Sequence, residues 1–222
     1  MTIHRQRVSF SSTAILVLQW DDPYASVSGS PGAQHDIDIV AFDLSGTVAQ
    51  SSLRLNFEGD PVEFFQIPSG TYDLEISLCP VPNVPPRDNV KMKYIITGSD
   101  AVIQFATDSS TSFGHPNQSF TAGVGAAFWQ LTPQFGTNPP LLETFSSAGG
   151  TAIFFNEDGT RKDAPEIRQQ PRFVGVDGTS TTFFGGGPLF RFFGELLDCL
   201  LSLPCGSSMG NSTSIFLRVA TL

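Results

Sequence analysis

Between Tyr72 and Leu78 the chain alternates strictly, with Tyr72, Leu74, Ile76 and Leu78 on one side and Asp73, Glu75 and Ser77 on the other. A repeat of two belongs to an extended strand, whose successive side chains point to opposite faces of a sheet; a helix repeats every 3.6 residues and would scatter this pattern. The segment is a half-buried strand. Its neighbours in the first third of the chain read the same way. Ala14, Leu16, Leu18 and Trp20 alternate with Ile15, Val17 and Gln19, and the run stops at Asp21-Asp22-Pro23, where proline removes a ladder donor. Ile37 to Phe42 reaches the turn Asp43-Leu44-Ser45-Gly46 and resumes at Thr47-Val48-Ala49, which is a hairpin pattern. After the proline-rich connection from Pro80 to Pro86, Lys91 to Ile96 extends again. Strands at this spacing predict an antiparallel sandwich over residues 8–98.

From about Gly98 the texture changes to apolar pieces joined by longer Gly/Ser/Pro loops: Ala101 to Phe105, Ala122 to Phe128, and Phe173 to Val176. Short apolar runs without alternation fit strands buried on both faces of a parallel sheet. Only Glu195 to Leu203 has a helical look, so the helices that a parallel sheet needs are mostly missing, and this half reads as an incomplete α/β part.

Composition narrows the function classes. With 40% hydrophobic and 15% charged residues the chain folds rather than staying disordered, and its 21 glycines, 16 prolines and 20 phenylalanines favour strands over long helices. A net charge of −9 with no basic cluster would repel a phosphate backbone, so no nucleic-acid partner is expected. No apolar run is long enough for a membrane span, and no apolar core follows Met1-Thr2-Ile3-His4-Arg5 as a signal peptide would require. Cys79, Cys199 and Cys205 show no C-x-x-C spacing, which argues against a zinc site and allows at most one bridge. The sequons at Asn117 and Asn211 matter only in a secretory compartment.

Three motifs follow one another in the second half: Val124-Gly125-Ala126, then Phe145-Ser146-Ser147-Ala148-Gly149, then Pro171-Arg172-Phe173-Val174-Gly175-Val176-Asp177-Gly178. In this order the chain resembles the subtilisin-like serine peptidases, or subtilases, in which a V-G-A strand precedes an F-S-S-x-G turn and a K-P-D-I-V-A-P-G-like strand that leads to the catalytic serine. His115-Pro116-Asn117, Pro165-Glu166-Ile167-Arg168-Gln169 and Thr181-Thr182-Phe183-Phe184-Gly185 are similar to a branch of that family with an inserted β-domain. His35 to Ile39, Asp43 to Gly46 and Gly70 to Leu74 are similar to small sandwich domains attached to secreted peptidases. The resemblance covers about residues 12–194.

The resemblance implies a mostly β fold: an antiparallel, jelly-roll-like sandwich insert over residues 8–98, then a partial subtilisin-like parallel-sheet segment over 99–194, then a divergent tail over 195–222. It gives structural roles to Val124, Gly125, Ala126, Phe145, Ser146, Ser147, Gly149, Pro171, Asp177 and Gly178. The parent activity it implies is hydrolysis of a polypeptide substrate through a serine acyl-enzyme, in a family that is typically secreted or extracytoplasmic; no cofactor is assigned to this chain, and calcium is unsupported. That chemistry uses an aspartate, a histidine and a serine, with an asparagine amide for the oxyanion. Only the serine should fall in this segment, in a stretch such as F-F-G-T-S-A-A-A-P-H. Here the text is Phe192-Phe193-Gly194-Glu195-Leu196-Leu197-Asp198, and Leu196 stands where the nucleophile belongs. Leucine cannot attack a carbonyl, so no catalytic residue is assigned and the chain is expected to be inactive alone. Every residue after Gly194 departs from the family pattern, as a shifted frame, a retained intron, a wrong gene-model end or an evolved pseudoenzyme would produce.

Other candidates have plainer explanations. Gly206-Ser207-Ser208-Met209-Gly210 matches G-x-S-x-G, but all the histidines lie upstream and a polar tail accounts for it. His115 sits in a Gly/Pro/Asn loop. Asp21, Asp22, His35, Asp36 and Asp38 offer ligands to calcium without the EF-hand order, and solvated strand-end acids explain them. Gly185-Gly186-Gly187 is followed by Pro188 and lacks a P-loop lysine. Phe64-Phe65, Phe154-Phe155 and Phe183-Phe184 are core fillers by default, and would form a protein-binding patch if left bare. A rival function follows from the sandwich alone: a non-catalytic module binding protein or glycan through the face that carries Asp73 and Glu75.

Overall fold

The structure is a computed structural model that describes residues 5–85, 89–107, 112, 114–144, 146, 149–178, 180–181, 190–191 and 218–221. In chain order the strands are β1 (Gln6–Phe10), β2 (Ala14–Trp20), β3 (Asp36–Phe42), β4 (Val48–Ser52), β5 (Val62–Ile67), β6 (Gly70–Cys79), β7 (Met92–Thr97) and β8 (Ala101–Ile103). There follow β9 (Val124–Phe128), β10 (Ile153–Phe155), β11 (Arg161–Glu166), β12 (Phe173–Asp177), β13 (Ser180–Thr181), β14 (Phe190–Arg191) and β15 (Arg218–Thr221). The described helices are one α turn, α1 (Ala25–Ser28), and three 3₁₀ turns at His115–Asn117, Trp129–Leu131 and Pro133–Phe135. The protein is mostly β. Among the described residues no helix is long and apolar enough to cross a membrane.

Two compact units divide the chain: Met1–Ser109 with Ala152–Glu166 and Phe216–Leu222, and Ser110–Thr151 with Ile167–Ile215. The first unit holds two antiparallel sheets, one ordered β4-β3-β6-β1-β8 and the other β15-β7-β2-β5. Alternation decides which side chains meet between them. Val8, Ile37, Ile39 and Leu74 of the first sheet share one cluster with Leu16, Leu18, Ile67 and Ile96 of the second, each at most 2% exposed. Burying each such side chain contributes roughly 1.5–3 kcal/mol against the entropy of ordering the chain. β2 and β6 cover the segments whose alternation predicts them, and Tyr72 and Leu74 face the core. Leu78 departs from that pattern: near the end of β6 it is 43% exposed. β8 pairs with β1 through Val8↔Ile103 and Phe10↔Ala101, so the sandwich runs past residue 98.

The hairpin of β3 and β4 turns where the sequence indicates. Asp43 Oδ1 accepts bonds from Ser45 N at 2.9 Å, Thr47 N at 2.9 Å and Ser45 Oγ at 2.6 Å. The Ser45 hydroxyl and these backbone donors favour the charged form and hold the Asp43 carboxyl below its usual range. A second hairpin, β10 with β11, belongs to the same unit and closes through Asn156 N donating to Thr160 O at 2.9 Å.

In the second unit β9 and β12 run parallel, in register from Val124↔Phe173 to Phe128↔Asp177. Two of the three short apolar runs form parallel strands, whereas the first, Ala101–Ile103, is β8 and pairs antiparallel with β1 in the sandwich; burial on both faces holds only for β9. Gly125, Ala126 and Ala127 are buried, whereas Phe173, Val174 and Val176 are 53%, 47% and 40% exposed. The cause is the size of the sheet, which has two strands among the described residues.

Candidate functional site

The motif residues of the second unit converge on β9. Ser146 lies 20 residues beyond Ala126, and its Oγ accepts the Ala126 N–H at 3.0 Å, while Glu143 N donates to Ala126 O at 2.9 Å. Glycine at 125 leaves room for this bond: a Cβ there would stand 2.7 Å from Ser146 Oγ and 3.4 Å from Pro171 Cγ, so the serine would have to shift. Gly149 (φ +129) and Gly178 (φ +72) adopt backbone angles that side chains disfavour. Val124, Gly125, Ala126, Ser146, Pro171 and Asp177 are parts of one strand-and-turn arrangement, with Gly178 following β12, whereas the Gly149 carbonyl accepts Ser112 N at 2.8 Å; Phe145 and Ser147 lie outside the described residues.

Gln170 fixes the entry to this arrangement, and sequence reasoning gave it no role. It is 3% exposed, its Oε1 accepts Gly123 N at 2.9 Å, and its Nε2 donates to Thr121 O at 2.8 Å and Gln118 O at 3.3 Å. Asn117 is also buried at 5%, with Nδ2 on Thr151 O at 3.0 Å, so this sequon is closed to glycosylation in the folded chain. Asp177, 2% exposed, ends β12, and its charge adds to burial in pushing the Glu143 carboxyl above the usual glutamate range. His115 opens a 3₁₀ turn at the surface, where its carbonyl accepts the Thr121 hydroxyl at 2.9 Å.

Asp21 and Asp22, at the end of β2, are not solvated. Asp21 and Asp22 are 4% and 2% exposed, and His35 is 6%. Asp22 Oδ2 accepts bonds from Trp20 Nε1 at 3.1 Å, Gln34 N at 3.0 Å, His35 N at 2.9 Å and His35 Nδ1 at 2.8 Å. A carboxylate only accepts, so His35 carries its hydrogen on Nδ1. Asp21 takes Lys91 N on Oδ1 at 2.9 Å and the Arg161 guanidinium on Oδ2. Asp36 accepts Asn56 N at 2.9 Å, and Asp38 accepts the Cys79 thiol at 2.9 Å. These oxygens are turned to protein donors in separate places. Among the described residues no group of three His, Cys, Asp or Glu side chains could hold a metal ion.

A cavity of about 130 Å³ is lined by His35, Leu78, Cys79, Pro80, Val81 and Val84. A cysteine and a histidine in one pocket suggest a nucleophile, but burial and then the Asp38 carboxylate push the Cys79 thiol up to about 12. It is protonated at neutral pH and is a poor nucleophile. The acidic face of β6 is also occupied within the chain. Arg7 Nε meets Asp73 Oδ1 at 2.8 Å, and Arg5 Nε meets Glu75 Oε2 at 2.9 Å. The Phe64-Phe65 pair splits by strand alternation: Phe65 is buried at 6%, and Phe64, at 44%, carries the Arg54 guanidinium 4.5 Å from its ring, whereas Phe154 and Phe155 are both partly buried. Arg161 lies 5.4 Å and 5.2 Å from the Phe154 and Phe155 rings. Phe183, Phe184, Gly185 to Gly187, Leu196, Cys199, Cys205 and Asn211 lie outside the described residues.

Comparison with protein families, with characterised proteins and with solved structures finds no match.

Proposed function

We propose that this chain is a fragment of a subtilisin-like serine endopeptidase, a β-sandwich followed by part of the parallel sheet, and that it does not hydrolyse peptides by itself. One observation carries the proposal. Three motifs spread from Val124 to Gly178 meet around Gly125: the Ser146 hydroxyl on Ala126 N, Pro171 against Gly125, and Phe173 beside Val124 in parallel register. Residues brought together only by the fold are a stronger support for shared ancestry than the same residues in a row. The inactivity follows from the alignment of Leu196 with the nucleophile, since an alkyl side chain has neither lone pair nor labile proton. The substrate of the parent enzyme is a polypeptide. The purified chain, treated with a fluorophosphonate probe, should take up no label, and a serine adduct would overturn the proposed inactivity. The ancestry is tested separately by reading the nucleotide sequence past the Gly194 codon in all frames. A T-S-x-x-x-P-H stretch there supports a disrupted peptidase gene.

A further inference from the structure

Glu63 is on the inward face of β5, between the apolar layers, and is fully buried at 0% exposure. Arg54 N donates to its Oε1 at 3.2 Å, and the Ser52 hydroxyl and the Asn56 amide lie beside the carboxyl. Asn56 is 5% exposed and cannot turn, because its Nδ2 donates to Asp60 O and Val62 O, both at 3.1 Å, and its backbone N donates to Asp36 Oδ1 at 2.9 Å. Two acceptor oxygens then stand without a donor among the described residues: Glu63 Oε2 and Asn56 Oδ1. A buried acceptor without a donor is destabilising, and two in one cluster compound the cost. A single proton removes both defects.

We propose that Glu63 is a neutral carboxylic acid in the folded protein, its Oε2–H donating to Asn56 Oδ1, and that this bond is a pH-released clasp on the connection between β4 and β5. The proton comes from solvent on folding and returns to it on ionisation. The neighbouring cation, Arg54, favours the charged form through its own charge, but this is the smallest of the influences on the carboxyl, and burial is the largest. The inward residues of β2 (Ala14, Leu16, Leu18, Trp20) and β3 (Ile37, Ile39, Ala41) carry no charge, and β4 presents Ser52. Arg54 turns its guanidinium onto the Phe64 ring, Asp36 is taken by Asn56 N, and Asp60 accepts Ser26 N at 2.8 Å. Burial outweighs the neighbouring donors and raises the Glu63 carboxyl above its ordinary 4.5. For an acid raised in the folded state, the stabilising contribution is full below the unfolded value and is lost as pH rises through the folded one. Acid therefore closes the clasp and alkali opens it.

The decisive measurement is a ¹³C NMR titration of the Glu63 side-chain carboxyl in the full chain. The expected midpoint lies above 4.5. Beside it, urea midpoints of wild type and Glu63→Gln are compared in acid and at mildly alkaline pH. The glutamine amide donates at every pH, so the variant should equal wild type in acid and exceed it in alkali. A midpoint at or below 4.5, a midpoint lowered by added sodium or calcium chloride, or a Glu63→Gln variant displaced equally at every pH would each overturn the proposal. If the variant does not fold, the titration of the wild-type carboxyl decides alone.

Discussion

Replacing Asp22 with alanine should be among the most damaging single changes in the sandwich. The carboxylate gathers four donors on one oxygen: Trp20 Nε1, Gln34 N, His35 N and His35 Nδ1. Trp20 and His35 are 4% and 6% exposed, so water cannot readily replace the lost acceptor for their three donors, while Gln34 is exposed. A buried donor stripped of its partner costs about 1–3 kcal/mol, and three lose theirs together, so Asp22→Ala should lose about 4 kcal/mol. Asp22→Asn retains a carbonyl oxygen but loses the charge, and neutral hydrogen bonds are roughly half as strong, which gives a loss of about 1–2 kcal/mol. With a urea slope of about 2 kcal/mol/M, the midpoint should fall by about 2 M for alanine and by less than about 1 M for asparagine. The assay is urea unfolding followed by Trp20 fluorescence in a Trp129→Phe background, with far-UV circular dichroism as the second probe. The reasoning fails if Asp22→Ala shifts the midpoint no more than Glu157→Ala, a change at an exposed turn residue.

Two further changes probe other parts of the molecule. With its thiol pushed up from 9.0 to about 12, folded Cys79 should carry roughly a thousandfold less thiolate than an unperturbed cysteine and react correspondingly slowly with iodoacetamide at neutral pH. Asp38→Asn should speed the reaction without bringing it to the unfolded rate, because burial is the larger cause; peptide-resolved mass spectrometry separates Cys79 from the other cysteines. Gly125→Ala should cost about 1–3 kcal/mol by pushing Ser146 off the Ala126 N–H. Adding Ser146→Ala should then cost less than it does alone, with a coupling of about 1 kcal/mol in thermal midpoints; strict additivity would argue against the contact.

The legible parts of this fold are those that local sequence dictates. A strand with one wet face and one dry face must alternate, so β2 and β6 are visible in the residue order, and an aspartate two residues before a serine and four before a threonine announces the turn after β3. What the sequence hides is the direction from which a partner arrives. Asp21 and Asp22 look like a polar strand end, yet their donors include His35, 13 residues beyond Asp22, and Arg161, 140 residues beyond Asp21. No window around Asp22 contains that information. Burial of Asn117 is invisible for the same reason, since its anchor Thr151 belongs to a distant loop. Gln170 could have been suspected only from its place just before Pro171, in the approach to a strand that resembles a family motif.

The residues that support the proposed peptidase ancestry are held by one another. Gly125 leaves room for Ser146, Ser146 satisfies Ala126, and Gln170 satisfies Gly123 and draws in the Thr121 and Gln118 carbonyls. These contacts satisfy backbone groups of β9 and its approach and lie outside the Gly194–Leu196 stretch, so what holds the β9 and β12 pair together does not depend on the residue at position 196. Structural motifs of this kind persist by satisfying backbone polar groups, a demand that every buried strand makes whether or not chemistry follows. Catalysis instead demands one side chain at one position, and at the position that the proposed ancestry assigns to it the sequence has Leu196. The proposed ancestry and the proposed inactivity thus rest on different residues, which is why the first is tested through gene sequence and the second through a serine-directed probe.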